Sequence, residues 1–148
     1  METILEVQNE TRTQTSSRPF ASPAFAGGLL NCTSHRVADF VHDGRIPLAF
    51  DIRHPSRHRL CLRVATANVV AFKSRLTPSS DIKTFFDTVF PPNVPTYNPP
   101  ELGLVLQCNT EHIYHLITAK ALTDAGDKTR YQVPRESILR FLKKRRLA

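Results

Sequence analysis

The chain has 148 residues, 41% of them hydrophobic, and a formal net charge of +7. That length suits one domain with a single modest core, and the hydrophobic fraction is too high for a fully disordered chain. No apolar run approaches the roughly 20 residues needed to cross a bilayer, and the N-terminus lacks the features of a secretion signal. We therefore expect an intracellular protein, cytoplasmic or nuclear, without a membrane partner.

The first 28 residues are predicted to form a mostly flexible arm. Ile4–Val7 is a candidate first strand, and residues 8–28 are rich in Thr, Ser, Pro and Gln without periodicity. Residues 29–148 are assigned to a single α/β domain, which begins with a buried-strand candidate at Leu29–Thr33.

The middle of the chain alternates strand and helix signals. Ile46–Ile52 is apolar but contains a proline, which predicts an edge strand or an extended loop. Apolar residues alternate over Leu60–Val64, which predicts a half-buried strand. Ser79–Asp81 then supplies N-cap chemistry for a helix that ends near Val89.

A proline-rich loop is predicted at residues 90–100, which contain five prolines. Gly103–Cys108 and His112–Thr118 are predicted as the two strands of an antiparallel hairpin. A final helix is predicted after Pro134, and its basic end at Lys143–Arg146 complements the helix dipole. This order of elements predicts a mixed α/β or α+β domain without an internal repeat.

The histidines and cysteines are not spaced as metal ligands. His112 and His115 are three apart in a predicted strand, so their side chains point to opposite faces. His54 and His58 have helical spacing, but Pro55 disfavours a helix there, and no Cys-X-X-Cys pair occurs. No nucleophile elbow, phosphate-binding loop or dinucleotide fingerprint can be written either. The sequence therefore indicates no metal, no cofactor and no catalytic residue.

The C-terminal part of the chain is strongly basic. From Glu111 onward nine Lys or Arg residues stand against four acids, and five of the nine lie in the last ten residues. Such a cluster suits phosphate binding or nuclear import, and a solvated helix end has the same composition. The candidate nucleic-acid contacts are Arg140, Lys143, Lys144, Arg145 and Arg146.

Residues 113–138 resemble one branch of the macrodomain family, which includes terminal ADP-ribose glycohydrolases and ADP-ribose-1''-phosphate phosphatases. Ile113–Thr118 reads IYHLIT, similar to that branch's strand IYYLITKK. After a slightly longer loop, Lys128, Tyr131, Ser137 and Ile138 keep the spacing of K, Y, S and L in its KPTYxxLxxSL segment. Weaker similarities follow the family's order upstream, at residues 4–10, 30–34, 72–76 and 103–107.

The resemblance implies a macrodomain-like mixed sheet with flanking helices, shortened at the C-terminus, that binds ADP-ribose or an ADP-ribosylated protein. Glu10 would hold the adenine amine and Asn31 would approach the ribose, with Cys32 and Ser34 beside them. The family's hydrolase lysine directly follows LIT, and this chain has Ala119 there. The resemblance therefore implies nucleotide binding without hydrolysis.

Two alternatives use other features of the chain. One is a small basic accessory protein, of the kind that compact viral genomes carry, that binds RNA or DNA through its C-terminal helix. The other is a protein-interaction module that uses the proline-rich loop.

Overall fold

The computed structural model describes residues 18–126 and 130–148. The helices in these residues are α1 (Pro23–Leu30), α2 (Ser34–His42), α3 (Thr66–Lys73), α4 (Ile82–Val89), α5 (Pro99–Leu106), α6 (Thr110–Thr118) and α7 (Arg135–Lys144). The strands are β1 (Phe20–Ala21), β2 (Ala49–Asp51), β3 (Leu62–Ala65), β4 (Thr96–Tyr97) and β5 (Val133–Pro134). The predicted strand at Ile4–Val7 lies outside the described residues.

The strands form two small antiparallel sheets among seven helices of the described residues, which confirms the predicted mixed α/β class. The larger sheet has the order β1-β3-β2, and Val64 of the central strand lies opposite Ala21 on one side and Ala49 on the other. β4 pairs with β5 in the smaller sheet, where Tyr97 lies opposite Val133.

Several elements match the sequence prediction. β2 lies at the edge of its sheet, as the proline in that segment indicated, and β3 forms where apolar residues alternate. The side chain of Asp81 caps α4 by accepting a hydrogen bond from the Thr84 backbone N–H over 3.2 Å. α7 begins directly after Pro134, with Glu136 in its first turn and Lys143 in its last.

The predicted hairpin over residues 103–118 is wrong, because both segments are helical. At the start of α5 the Asn98 side chain accepts from the Glu101 backbone N–H, and the Glu101 carboxylate accepts in return from the Asn98 N–H. The side chain of Asn109 caps α6 by accepting a hydrogen bond from the His112 backbone N–H. Ile113 and Leu116 are then buried on one face of α6 at helical spacing. Short apolar runs suit either element, and here the two caps select helices.

The strand predicted at Leu29–Thr33 is also wrong, since α1 continues to Leu30 and a turn follows. Residues 18–28 were predicted as part of the arm, and they contain β1 and most of α1. The proline-rich segment is in part regular, because residues 96–97 form β4 and Pro99 and Pro100 open α5. Proline is well suited to that position, where a helical N–H has no partner.

The chain contains an internal repeat, contrary to the sequence prediction. Unit 1 comprises β1, α1, α2, β2, β3 and α3, and unit 2 comprises β4, α5, α6, β5 and α7. Residues 19–48 of unit 1 correspond to residues 95–124 of unit 2. Asn31 and Gln107 adopt left-handed backbone (φ 56° and 58°) after the first helix of each unit, and Gly44 and Lys120 do so (77° and 61°) after the second.

Backbone hydrogen bonds recur at the same relative positions. The donor–acceptor pairs are Cys32 to Gly27 and Cys108 to Gly103, Arg45 to Phe40 and Ala121 to Leu116, and Thr66 to Pro19 and Arg135 to Pro95. A buried polar side chain also recurs, since the Asn68 amide donates to Pro47 O and the Ser137 hydroxyl accepts from the Thr123 N–H. These two side-chain hydrogen bonds each join the last helix of a unit to the loop after its second helix.

The two units are packed together through the β2–β3 hairpin. Arg63 of β3 donates to Leu106 O over 2.9 Å and to Gln107 O over 2.7 Å, at the C-terminal end of α5. One core cluster contains buried residues of both units, among them Phe50 of β2 and Leu116 of α6. A guanidinium at a helix C-terminus also complements the helix dipole, so Arg63 couples the units at little electrostatic cost.

The last residues of the chain extend the outer edge of β2. The Asp51 N–H donates to Arg145 O over 2.8 Å, and the Leu48 N–H donates to Ala148 O over 2.9 Å. These bonds satisfy backbone groups that an edge strand would otherwise leave unpaired. Among residues 18–126 and 130–148, no helix has the length and apolar character needed to span a bilayer.

We expect Gly27 in the first helix of unit 1 and Gly103 in the first helix of unit 2 to be required for stability. A Cβ on Gly27 would lie 2.7 Å from Cys32 O, and one on Gly103 would lie 2.9 Å from Cys108 O. Replacing either by Ala should lower the free energy of unfolding by about 1–3 kcal/mol in urea titrations. Gly28 is the matched control, because a Cβ there meets nothing within 4 Å, and Gly28→Ala should stabilise the helix by about 0.5–1 kcal/mol. Equal stability of Gly27→Ala and Gly28→Ala would contradict the account.

Candidate nucleic-acid interface

Each unit contains two short helices joined by a three-residue turn at the same place, and we call each such helix pair with its turn a helix-turn-helix motif for its connectivity. In unit 1 the eight-residue α1 is followed by a turn at residues 31–33 and by the nine-residue α2. In unit 2 the eight-residue α5 is followed by a turn at residues 107–109 and by the nine-residue α6. The short turn is the connectivity found in DNA-binding helix-turn-helix proteins, whose two helices cross at about 90–120°.

Local chemistry sets the turn in both motifs. Asn31 and Gln107 take the left-handed conformation that reverses the chain after the first helix. The Thr33 hydroxyl then accepts a hydrogen bond from the Arg36 N–H over 3.2 Å and starts α2. The Asn109 side chain does the same for α6 over 2.8 Å. The second helix of each motif therefore leaves the turn from an equivalent cap.

The two second helices carry different polar side chains on their solvent faces. The exposed residues are Ser34, His35, Arg36, Asp39 and His42 on α2, and Glu111, Tyr114, His115 and Thr118 on α6. Tyr114 remains 39% exposed and packs edge-to-face against Tyr131, with ring centroids 5.1 Å apart. These faces offer hydrogen-bond donors and acceptors to a ligand, and the two faces are not copies of each other.

The connection between β2 and β3 is strongly basic. We call residues 53–59 the basic connection, because five of the seven are Arg or His and none is acidic. Asp51 anchors its base: its carboxylate accepts from the Arg53 and Cys61 N–H groups over 3.1 Å each, and it pairs with the Arg53 guanidinium at 2.9 Å. Arg57 and Arg59 are exposed and take part in none of the ion pairs of the described residues.

The basic connection lies beside α6. With the N-terminal part of α6 it lines a cleft of about 430 Å³, and the His54 and His115 rings lie 6.4 Å apart across it. The His112 Nε2 is 2.7 Å from Ile52 O and donates to it, which holds α6 to the hairpin. Leu60 lines this cleft and also a smaller one against α2. The hairpin therefore contacts the second helices of both units.

The residues that the resemblance assigned to ADP-ribose do not meet in one enclosed pocket. Glu10 lies outside the described residues. Asn31 is exposed at the C-terminal end of α1, and Ser34 is exposed at the start of α2. Cys32 is half-buried and lines an open groove of about 590 Å³ whose rim includes Arg36. These three residues form the turn and the first helical position of the unit 1 motif.

The structure divides the predicted C-terminal basic cluster into two groups. The Arg146 guanidinium donates to Ser80 O and Ala148 O, so it is engaged within the fold. Arg140, Lys143 and Lys144 are exposed on α7. Arg145 is half-buried, with its guanidinium 5.4 Å from the centre of the Phe141 ring. The anchored tail presents these cations at fixed positions.

The described residues offer no metal cluster, and the Cys108 thiol is not activated. No group of three or more His, Cys, Asp or Glu side chains among residues 18–126 and 130–148 could hold a metal ion. Burial raises the pKa of the Cys108 thiol to about 12, with a smaller contribution from neighbouring Cys61. A thiol with that pKa is protonated at neutral pH and is a poor nucleophile.

No family model, curated protein or solved structure matches this chain. The resemblance to macrodomains stays a prediction. The segment on which it chiefly rests is not the strand that the resemblance implied. Ile113–Thr118 lies in α6 rather than in a strand. Ser137 and Ile138 are buried in the first turns of α7, as the helix start in that resemblance implied.

The sequence prediction missed the two second helices. The signal that could have found them is a weak similarity between residues 19–48 and the residues 76 positions later. The identical pairs are Pro19 and Pro95, Pro23 and Pro99, Gly27 and Gly103, Leu30 and Leu106, and Cys32 and Cys108. A proline at the start of a helix, a glycine within it and a cysteine after it mark one helix-turn-helix motif twice.

We expect Asp51 to hold the basic connection in place. Asp51→Ala leaves the part-buried backbone N–H groups of Arg53 and Cys61 without their acceptor, and we expect this loss to cost about 1–3 kcal/mol of unfolding free energy. The comparison is with Asp43→Ala, an exposed carboxylate whose loss should change stability by less than about 0.5 kcal/mol. Urea denaturation followed by circular dichroism measures both. Equal effects of the two replacements would contradict this role for Asp51.

Proposed function

We propose that the protein binds double-stranded DNA through its two helix-turn-helix motifs and the basic connection between them. The observation that carries the proposal is the duplication of one motif, down to its turn conformation, caps and backbone hydrogen bonds. A helix-turn-helix motif presents its second helix to the major groove, while the first helix crosses the backbone. α2 and α6 are the helices in that position here.

The shape of the ligand favours duplex DNA over RNA. An α-helix fits the major groove of B-form DNA, which is about 12 Å wide, whereas the major groove of A-form RNA is too narrow for side chains to enter. Single strands are bound by aromatic side chains that stack on bases. The exposed aromatic rings of Tyr114 and Tyr131 pack edge-to-face against each other rather than forming an open platform.

The side chains of the two second helices can read base edges. His35 and Arg36 stand in the first turn of α2, where a recognition helix contacts bases, and Glu111 occupies the matching place on α6. Arginine donates to guanine, and a carboxylate accepts from the cytosine amino group. Since α2 and α6 differ at these positions, the preferred sequence should differ between the two halves of the binding site.

The basic connection supplies the sequence-independent part of binding. Arg57 and Arg59 are exposed beside α6 and are free of ion pairs to the described carboxylates. Cations in this position neutralise backbone phosphates and release counterions, which dominates DNA affinity at low salt. The chain's net charge of +7 acts in the same direction by steering a polyanion to the protein.

ADP-ribose binding is the competing hypothesis, and it rests on the sequence resemblance alone. The turn residues Asn31 and Cys32 and the helix-start residue Ser34 have a structural explanation in the motif, which is independent of any nucleotide. A stoichiometric heat of binding with ADP-ribose that Asn31→Ala weakens would favour that hypothesis over DNA. Isothermal titration calorimetry makes the measurement directly.

We expect fluorescence anisotropy to show that a 30-base-pair duplex of mixed sequence binds more tightly than either single strand, with affinity falling steeply between about 50 and 200 mM salt. Arg57→Gln and Arg59→Gln should each reduce the slope of log affinity against log salt by about 0.9. Lys83→Gln is the control, because Lys83 is exposed on α4 and belongs neither to the motifs nor to the basic connection. Absence of duplex binding at 50 mM salt, or equal slopes for all three variants, would contradict the proposal.

A further inference from the structure

A second basic cleft lies at the other side of the basic connection. It has a volume of about 380 Å³ and is formed by the loop after α6, by α7 and by Pro55 of the connection. Four cationic side chains line it, Lys120, Arg140, Lys144 and Arg145, and no carboxylate does. They come from two separated parts of the chain, so their convergence is a property of the fold rather than of one charged run.

The four cations are not neutralised within the described part of the chain. None of them belongs to an ion pair among residues 18–126 and 130–148. The helix dipole explains cations at the C-terminal end of α7, such as Lys144, but Arg140 lies earlier in the helix and Lys120 lies on another element. Like charges held together repel each other, and an anion removes that cost.

Lys120 adds a second, independent observation. Its φ of 61° is left-handed, and the equivalent residue of unit 1 is Gly44, which adopts 77° without strain. A residue with a side chain in this conformation costs roughly 1 kcal/mol compared with glycine. Unit 2 therefore has a lysine that lines the cleft at the position where unit 1 has a glycine.

The floor of the cleft carries a hydrogen-bond donor. The Ser137 hydroxyl accepts from the Thr123 N–H over 2.9 Å, which leaves its own O–H to donate. The equivalent residue of unit 1 is Asn68, whose amide is consumed by Pro47 O and by both backbone groups of Ser79. Only unit 2 thus combines this donor with surrounding cations in the part of the chain that the structure describes.

We infer that this cleft binds a phosphate group of the DNA strand that passes over the basic connection. Its ligand class is a tetrahedral oxyanion, held by guanidinium and ammonium groups with the Ser137 hydroxyl beneath it. The connection joins the two clefts directly, since Arg53 and His54 line the one beside α6 and Pro55 lines this one. The inference rests on the proposed function for the source of the phosphate.

The test is the salt dependence of duplex binding by the full-length chain. Lys120→Gln and Arg140→Gln should each lower the slope of log affinity against log salt by about 0.9, and the double variant by about twice that. Lys83→Gln, which lies on α4 outside both clefts, should leave the slope unchanged. Circular dichroism spectra and melting temperatures of all variants verify that each one is folded.

Titration of the wild-type chain with inorganic pyrophosphate, followed by ¹H–¹⁵N spectra, separates the two sources of phosphate. Steep, salt-dependent duplex binding with an unchanged slope in the double variant would overturn the inference and leave the proposed function standing. Micromolar pyrophosphate binding at Lys120 and Thr123 without duplex binding would mean that the cleft serves a free phosphate ligand, and it would overturn the DNA assignment. Reduced slopes together with weak, millimolar pyrophosphate binding would support it.

Discussion

The close approach of a helix to the turn that follows it sets the geometry of both units. Gly27 and Gly103 leave the space into which the carbonyl groups of Cys32 and Cys108 fit, with no room for a methyl group. The left-handed residue in each turn and the side-chain cap after it then fix where the second helix begins. Because backbone groups make this corner, the exposed side chains of α2 and α6 are free to differ. The same backbone geometry can therefore carry two helices with different exposed side chains, and such helices can contact different ligand groups.

The β2–β3 hairpin links the two units. Arg63 ties it to the end of α5, His112 of α6 holds Ile52, and the C-terminal residues cover its outer edge. The hairpin therefore lines one cleft with α6 and another with α2, and residues 55–59 of its basic connection are exposed. Unit 2 has a shorter segment between its second helix and its last strand, residues 119–132 against 43–61 in unit 1. The two units are thus not equivalent, and the DNA site that we propose is asymmetric for the same reason.

The elements that could be predicted from the sequence are those marked by local signals such as caps and alternation. The elements that were predicted wrongly are those whose conformation depends on the rest of the fold. The cap at Asp81 and the proline before α7 identified two helices, and alternation identified β3. The runs that became α5 and α6 are short and apolar, so periodicity alone could not separate helix from strand. The repeat escaped detection because backbone geometry preserves it while few side chains do: Asn31 and Gln107 share a conformation but not a residue type. The position of the basic connection beside α6 depends on the fold and could not be predicted from the sequence.

The central claim is that one chain places both second helices in the major groove of one duplex. Protection of guanine N7 from dimethyl sulfate reads that groove directly, on a duplex selected from a random pool for tight binding. We predict one chain per duplex and two protected segments. One segment should be lost when His35 and Arg36 are replaced by Ala, and the other when Glu111 and Tyr114 are replaced by Ala. A single protected segment, or loss of the same guanines in both variants, would contradict it.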